Sequence, residues 1–147
     1  MLPLGTKVPN HIAMILDGNR RWARSRGLQP WEGHKAGYDA IRTLARSARE
    51  MGVHTFTVWA FSTENWDRPK EEIDTIMNIF RKALEVAKKE AVEEKVKMVH
   101  IGRKDRLPAD LVLRIVELEV LTSDFTQNTF NFAVDYGGHD EIIRAVN

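Results

Sequence analysis

Ile12-Ala13-Met14-Ile15-Leu16 followed directly by Asp17-Gly18-Asn19-Arg20-Arg21-Trp22-Ala23 is an apolar run that ends abruptly in charge. Five consecutive apolar residues bounded by polar ones suit a strand buried on both faces of a parallel sheet. A glycine able to adopt positive φ, an amide and two guanidiniums then follow a carboxylate. Gly18 lets backbone approach a ligand closely, and the first turn of a helix leaving this point offers free N–H groups to an anion. Arg20 and Arg21 add fork-shaped donors that match phosphate oxygens. Asp17 would repel such a phosphate unless a divalent cation lay between them, so the stretch points to a metal-assisted diphosphate site. The plainer alternative is that Asp17 caps a helix and the arginines form a solvated face.

Composition narrows the classes. The 147 residues carry 22 Lys+Arg against 21 Asp+Glu, a net charge of +1, so no global field marks nucleic acid or a membrane as the partner. Hydrophobic residues make up 43%, enough for a core, and one domain over 1–147 is expected. Without cysteine there are no disulfides and no thiolate zinc sites, which fits a reducing compartment. Met1-Leu2-Pro3-Leu4 is too short for a signal peptide, and no apolar run approaches membrane-spanning length. A soluble, cytoplasmic protein is the expectation.

Along the chain, residues 1–11 are punctuated by Pro3, Gly5 and Pro9 and read as an irregular arm. Arg24 to Pro30 reads as a break. A helix is expected from His34, with Ile41, Leu44, Ala45, Ala48 and Met51 on one face and Gly52 closing it. Thr55 to Phe61 is β-branched and aromatic, a second strand. Pro69 with Glu71 and Glu72 opens a long helix carrying Ile73, Ile76, Met77, Phe80, Leu84, Ala87 and Ala91 at helical period, its end from Lys88 facing solvent. Lys97 to Ile101 is a third strand, Pro108 starts a helix with Leu111, Ile115 and Leu118 in register, and Thr129 to Val134 is a fourth strand. Alternation of strand and helix predicts an α/β fold, a parallel sheet with flanking helices.

Each strand ends in polar, glycine-bearing residues, and ligands bind at that edge of open α/β sheets. Ser62-Thr63-Glu64-Asn65-Trp66-Asp67-Arg68 forms the second such edge. It could be a helix-capping loop, although Asn65, Trp66 and Arg68 are costly choices for a cap alone. His34, after Gly33, could donate to a phosphate oxygen or relay a proton, or be an ordinary surface histidine.

Four blocks carry a resemblance: His11 to Ala23, Gly33-His34-Lys35-Ala36-Gly37, Ala60 to Pro69, and Tyr136-Gly137-Gly138. Their order and spacing, from about His11 to the last residue, are similar to the cis-prenyltransferase (undecaprenyl diphosphate synthase) family. The resemblance implies condensation of an allylic diphosphate, such as farnesyl diphosphate, with isopentenyl diphosphate, to add cis isoprene units with Mg²⁺. By match of position, Asp17 would place Mg²⁺, and Gly18, Asn19, Arg20, Arg21 and Arg68 would hold the allylic diphosphate. Trp22, Ser62, Thr63, Glu64 and Trp66, through their blocks, and Arg26, just past the first block, join the substrate-binding set. His34 and Asn65 would lie near the departing diphosphate and the isopentenyl proton, which makes Asp17, Asn65 and His34 the catalytic candidates. Arginines, a metal and apolar walls suffice for this chemistry. Ala60, Phe61, Met77, Phe80, Phe130 and Phe132 are candidate walls, and the lack of an Asp-Asp-x-x-Asp pair speaks against the trans-prenyltransferases. The family also implies a homodimer when full-length and a lipid product that places the enzyme peripheral to the membrane.

This chain departs from the family pattern in three places. Pro30 stands where a further diphosphate-binding arginine is common, and His139 where an arginine follows the two glycines. Ile142, Ile143, Ala145 and Val146 form an apolar face still in progress at Asn147, so a truncated, incomplete domain is expected. The family continues into an Arg-Thr-Gly-Gly segment and an arginine-serine segment that bind isopentenyl diphosphate. Two rival classes are a non-catalytic partner subunit of a heteromeric prenyltransferase and a nucleic-acid-binding module using Arg20, Arg21, Arg24 and Arg26. The intact motif from Asp17 to Arg21 weighs against the first, and the absence of basic excess against the second.

Overall fold

A computed structural model describes residue 3 and residues 5–146. Met1, Leu2, Leu4 and Asn147, and with them part of the expected arm and the expected end of the chain, lie outside the described residues. Four strands, β1 (His11–Ile15), β2 (Thr55–Ser62), β3 (Val96–Ile101) and β4 (Asn128–Tyr136), form one sheet in the order β1-β2-β4-β3. All three pairings are parallel, as the alternation of elements predicts. Between β1 and β2 lie α1 (Asn19–Arg24) and α2 (Pro30–Glu50). A 3₁₀ turn (Thr63–Asp67) and α3 (Lys70–Glu93) lead to β3, α4 (Ala109–Leu121) leads to β4, and α5 (Gly138–Val146) follows.

The register sorts the strand residues into two faces. Ile12, Phe56, Phe130 and Met98 stand side by side across the sheet, as do Met14, Val58, Phe132 and His100. These residues face the core together with Ile41 and Ala48 of α2, Ile76 and Met77 of α3, and Leu111, Ile115 and Leu118 of α4. The three α4 residues are at most 3% exposed, as their spacing predicts. Burial of that apolar area is the main stabilising term at about 25 cal/mol per Å².

On the other face, His11 Nε2 and Thr57 Oγ1 are 2.7 Å apart, and Asn131 Nδ2 donates to the same hydroxyl at 2.9 Å. The expectation that β1 is buried on both faces is therefore corrected. Ala13 and Ile15 are exposed, Ile15 to 67%, because β1 pairs only with β2 among the described strands and α2, α3 and α4 supply the core from one face. An unbroken apolar run marks a strand without telling how many of its faces are covered.

The start of α2 also differs from the sequence reading. The helix begins at Pro30, not at His34, because Gln29 and Glu32 form a capping box, the Gln29 N–H donating to Glu32 Oε2 at 2.8 Å. Pro30 fits the first helical position, where its missing N–H has no partner to lose. Leu44 and Met51, expected on the buried face, are 45% and 50% exposed, while Ile41 and Ala48 are buried.

Candidate functional site

The chain turns out of β1 at Gly18, whose φ of 90° lies in the left-handed region that favours glycine. That turn swings α1 against the first turns of α2, and two glycines permit the contact. A Cβ at Gly33 would stand 2.1 Å from the Asn19 carbonyl oxygen, and one at Gly37 would stand 2.6 Å from the Asn19 side-chain oxygen. Asn19 is thus seated in a glycine-lined groove of α2, and it also lines the cavity that opens beside it.

This cavity has a volume of about 790 Å³ and lies over the core face of the sheet, between α2 and α3. Its mouth is polar: Asp17, Asn19, His34, Ser62, Asn65 and Arg68 line it, from the ends of β1 and β2 and the first turns that follow them. Its depth is apolar. Of the six expected wall residues, Ala60, Phe61, Phe80, Phe130 and Phe132 line it, and Met77, 3% exposed, packs into the core instead. Phe61 meets Phe80 edge-on at 6.2 Å, which fixes the wall against collapse.

At the mouth three cationic or potentially cationic groups converge on one carboxylate. Glu72 Oε1 lies 3.0 Å from Arg68 Nη1, 3.6 Å from Arg20 Nε and 3.5 Å from His34 Nε2. Glu72 is only 13% exposed, so the pairing is poorly screened by solvent. His34 Nε2 is buried without a directed hydrogen bond, since Glu72 sits at the limit of reach. Burial lowers the His34 pKa below 6.5; the approach of Glu72 raises it, and Arg68 and Arg20 lower it further. The imidazole is therefore neutral at neutral pH, with Nε2 turned towards Glu72. His34 lies one turn inside α2 rather than at the helix start expected from the sequence.

Asp17 stands apart from that cluster. Its Oδ1 accepts the Gly18 N–H at 2.6 Å and its Oδ2 pairs with Arg21 at 2.9 Å, with both side chains over three-quarters exposed. A lone exposed carboxylate at the mouth fits Mg²⁺, which keeps several waters and is held by one or two carboxylates together with substrate phosphates. No cluster of three or more His, Asp or Glu side chains able to cage a metal exists among the described residues. A protein-only metal site is not what this geometry offers.

The remaining candidates are distributed less tightly. Arg26 stacks over the Trp22 ring at 4.4 Å, and neither residue lines the cavity. Asn65 Oδ1 accepts the Ser62 N–H at 3.1 Å, capping the 3₁₀ turn, so it is both a cap and a lining residue. Trp66 donates its indole N–H to Asp135 at 2.9 Å. Thr63 lies against Gly137, where a Cβ would come within 2.3 Å of the Thr63 hydroxyl, and Glu64 is exposed. The third block thus meets the fourth in space, and Asp135 joins them. Asp135 is fully buried at a φ of 56° and is also paired by the Arg106 guanidinium.

Glu72, Asp135 and Arg106 were missed by sequence reasoning. The i,i+4 spacing of Arg68 and Glu72 was a usable signal, whereas Arg106 and Asp135 are brought together only by the sheet order.

Comparison with known proteins gives the family of the chain. The prenyltransferase family model for undecaprenyl diphosphate synthase matches residues 15–147. An isoprenyl transferase of Aquifex pyrophilus is 41% identical over 143 residues, covering 97% of this chain and 62% of the relative. Dehydrodolichyl diphosphate synthase 2 of Arabidopsis thaliana is 38% identical over 94% of this chain and 44% of its own length. Among solved structures, lavandulyl diphosphate synthase from Lavandula x intermedia, in complex with dimethylallyl diphosphate, superposes with a TM-score of 0.90 at 37% identity, covering 95% of this chain and 60% of that one. The chain therefore spans less than two thirds of the length of these relatives, and it belongs to the undecaprenyl diphosphate synthase family of prenyltransferases.

Proposed function

We propose that this chain holds the allylic half of a cis-prenyl transfer site, at which an allylic diphosphate such as farnesyl diphosphate condenses with isopentenyl diphosphate. The observation that carries the reading is one cavity of about 790 Å³ with a polar, arginine-bearing mouth and an apolar depth. A diphosphate ester of an isoprenoid has that same division between head and tail. The solved relative's complex with dimethylallyl diphosphate, itself allylic, supports the choice of ligand.

In the transfer, the allylic C1–O bond breaks and the diphosphate leaves with the electron pair. The isopentenyl double bond supplies the new C–C bond, and a proton is lost to restore an alkene. Arg68, Arg20 and Arg21, with the backbone at Gly18 and Asn19, would stabilise the departing charge, the term that usually contributes most to such a step. Asp17 would hold Mg²⁺, which when bound neutralises diphosphate charge and makes it a better leaving group. His34, held neutral by burial and lining the mouth, is the candidate to relay a proton, and the Asn65 amide can orient the reacting groups. Apolar walls exclude water that would otherwise capture the allylic cation.

On this reading the partners are the two diphosphates and a second copy of the full-length chain, and the protein acts in the cytoplasm, peripheral to the membrane that takes up its product. No helix among the described residues is long and apolar enough to cross a membrane.

Calorimetric titration with farnesyl diphosphate, with and without Mg²⁺, tests the proposal. Saturable binding that Mg²⁺ strengthens and Asp17→Ala weakens is expected. Absence of binding under both conditions would overturn the reading.

A further inference from the structure

Away from the mouth, part of the cavity wall between α2 and α3 is made of charged side chains. Arg42, Arg46 and Arg49 follow at i, i+4 and i+7 and share one stripe of α2. Opposite them stand Glu90 on α3 and Glu94, the residue that caps its C-terminal end. Arg42 forks onto Glu90, Arg49 pairs with Glu94, and Arg46 bridges the two at 3.9 Å from Glu90 and 3.1 Å from Glu94. All five line the cavity. Alongside the larger Ile41, Ile79 and Leu84, four alanines of the two helices line the same space, Ala45 on α2 and Ala83, Ala87 and Ala91 on α3. Alanines at these positions leave room between the helices, and the ion pairs close it.

The other walls are of a different kind. Phe61 and Leu111 are each 1% exposed and Phe132 is 8% exposed, all within the continuous core cluster. Displacing them would open cavities or force rotamers in close-packed surroundings. The ladder side chains are 26–53% exposed, so when parted they regain water and lose little. An apolar tail too long for the enclosed space meets its least resistance there.

We infer that the ladder of Arg42, Arg46 and Arg49 against Glu90 and Glu94 is the yielding wall of the cavity, and that it sets the isoprenoid length the cavity accepts. This rests on the prenyl diphosphate reading above. It adds to that reading a length-determining role for five side chains that take no part at the diphosphate end. A strong ladder keeps the seam shut and favours short chains; a weakened ladder lets a longer tail pass between the helices.

The test measures dissociation constants of the protein for geranyl, farnesyl, geranylgeranyl and longer polyprenyl diphosphates, in wild type and in a Glu90→Gln/Glu94→Gln variant. The ratio of long-chain to farnesyl affinity is expected to rise by roughly tenfold in the variant, the equivalent of about two surface ion pairs no longer to be parted. High salt should shift the wild-type profile in the same direction. Arg46→Gln, which approaches the seam from the opposite helix, should move the ratio the same way and serves if the double variant does not fold. Short members that bind with their dependence on Arg68 intact, together with a length profile unchanged in both variants, would overturn the ladder alone. Failure of every member of the series to bind wild type would overturn the prenyl diphosphate reading and the ladder with it.

Discussion

The two ends of the cavity solve the same electrostatic problem under different solvent access. At the mouth Glu72 is shared among Arg20, Arg68 and His34 and is 13% exposed. At the far end Glu90 and Glu94, 30% and 28% exposed, are shared among three arginines. Burial makes the mouth cluster a fixed scaffold, because an unpaired charge there would be poorly hydrated. Greater exposure makes the far cluster a latch that can open and close at little cost. Placement along one cavity thus separates a rigid mouth from a more compliant far end. The backbone deepens the contrast. The mouth is built on a glycine contact with no spare space, whereas nothing lies within 4 Å of a Cβ at Gly52, at the far end of α2.

Breaking the mouth at its backbone should give the largest effect. Gly33→Ala places a methyl 2.1 Å from the Asn19 carbonyl oxygen, and a backbone atom cannot swing aside as a flexible side chain would. Overpacking of this kind costs about 1–3 kcal/mol, and here it would displace α1 as well. Chemical denaturation should show the loss of stability, with farnesyl diphosphate binding falling at the same time. Wild-type stability in the variant would mean that α1 is not seated against α2 as described.

Among side chains, Arg68 and Arg21 separate two versions of the mouth. Arg68 lines the cavity beside Glu72, while Arg21 pairs with Asp17 near bulk water. Arg68→Ala should weaken allylic diphosphate binding by about 1.5–3 kcal/mol, the range for hydrogen bonds to charged groups. Arg21→Ala should weaken it less, and the double variant should lose less than the sum if both touch one ligand. Calorimetry showing equal, strictly additive losses would contradict a shared diphosphate with Arg68 innermost.

How far these positions could be read in advance depends on the range of the interaction. Gly18 was legible because a left-handed turn after a strand is a local requirement, and the buried face of α4 because Leu111, Ile115 and Leu118 repeat at helical period. Parallel pairing followed from the order of elements. What failed was anything set by the sheet as a whole. The exposure of Ile15 depends on β1 pairing on one side only, and no local pattern carries that. Asp135 follows directly on the expected fourth strand, Thr129 to Val134, and its carboxylate joins Trp66 to Arg106 across separations of 69 and 29 residues. The arginine ladder went unread for a similar reason: Arg42, Arg46 and Arg49 look like a solvated helix face until α3 is laid beside them.

The pH response of the mouth follows from His34. Its pKa is lowered in the folded chain by burial and by Arg68 and Arg20, against about 6.5 when unfolded. Between those values the unfolded state binds more protons, so stability rises with pH. The contribution is fully present above about pH 6.5 and is lost as pH falls through that value towards the lowered pKa. Melting temperature followed from acidic to neutral pH should fall on acidification, and His34→Gln should flatten that slope. An unchanged slope in the variant would assign the acid sensitivity to other groups.

The smallest effect is expected at the far end, and its smallness is what distinguishes the latch from the scaffold. Glu94→Gln removes a partner from both Arg46 and Arg49 but leaves side chains that are already partly hydrated. Exposed pairs contribute about 0.2–1 kcal/mol each, so with two pairs lost the unfolding free energy should drop by no more than about 2 kcal/mol. At 1 M salt the Debye length is about 3 Å, so the difference between variant and wild type should largely vanish. Glu72→Gln should behave otherwise. It takes the charge from a carboxylate only 13% exposed that Arg68, Arg20 and His34 share, so its destabilisation should be larger and should persist in salt. Denaturation of both variants at low and high ionic strength compares the two ends directly. Equal losses with equal salt sensitivity would show that burial does not divide the cavity in this way, and the far ladder would then be as rigid a wall as the mouth.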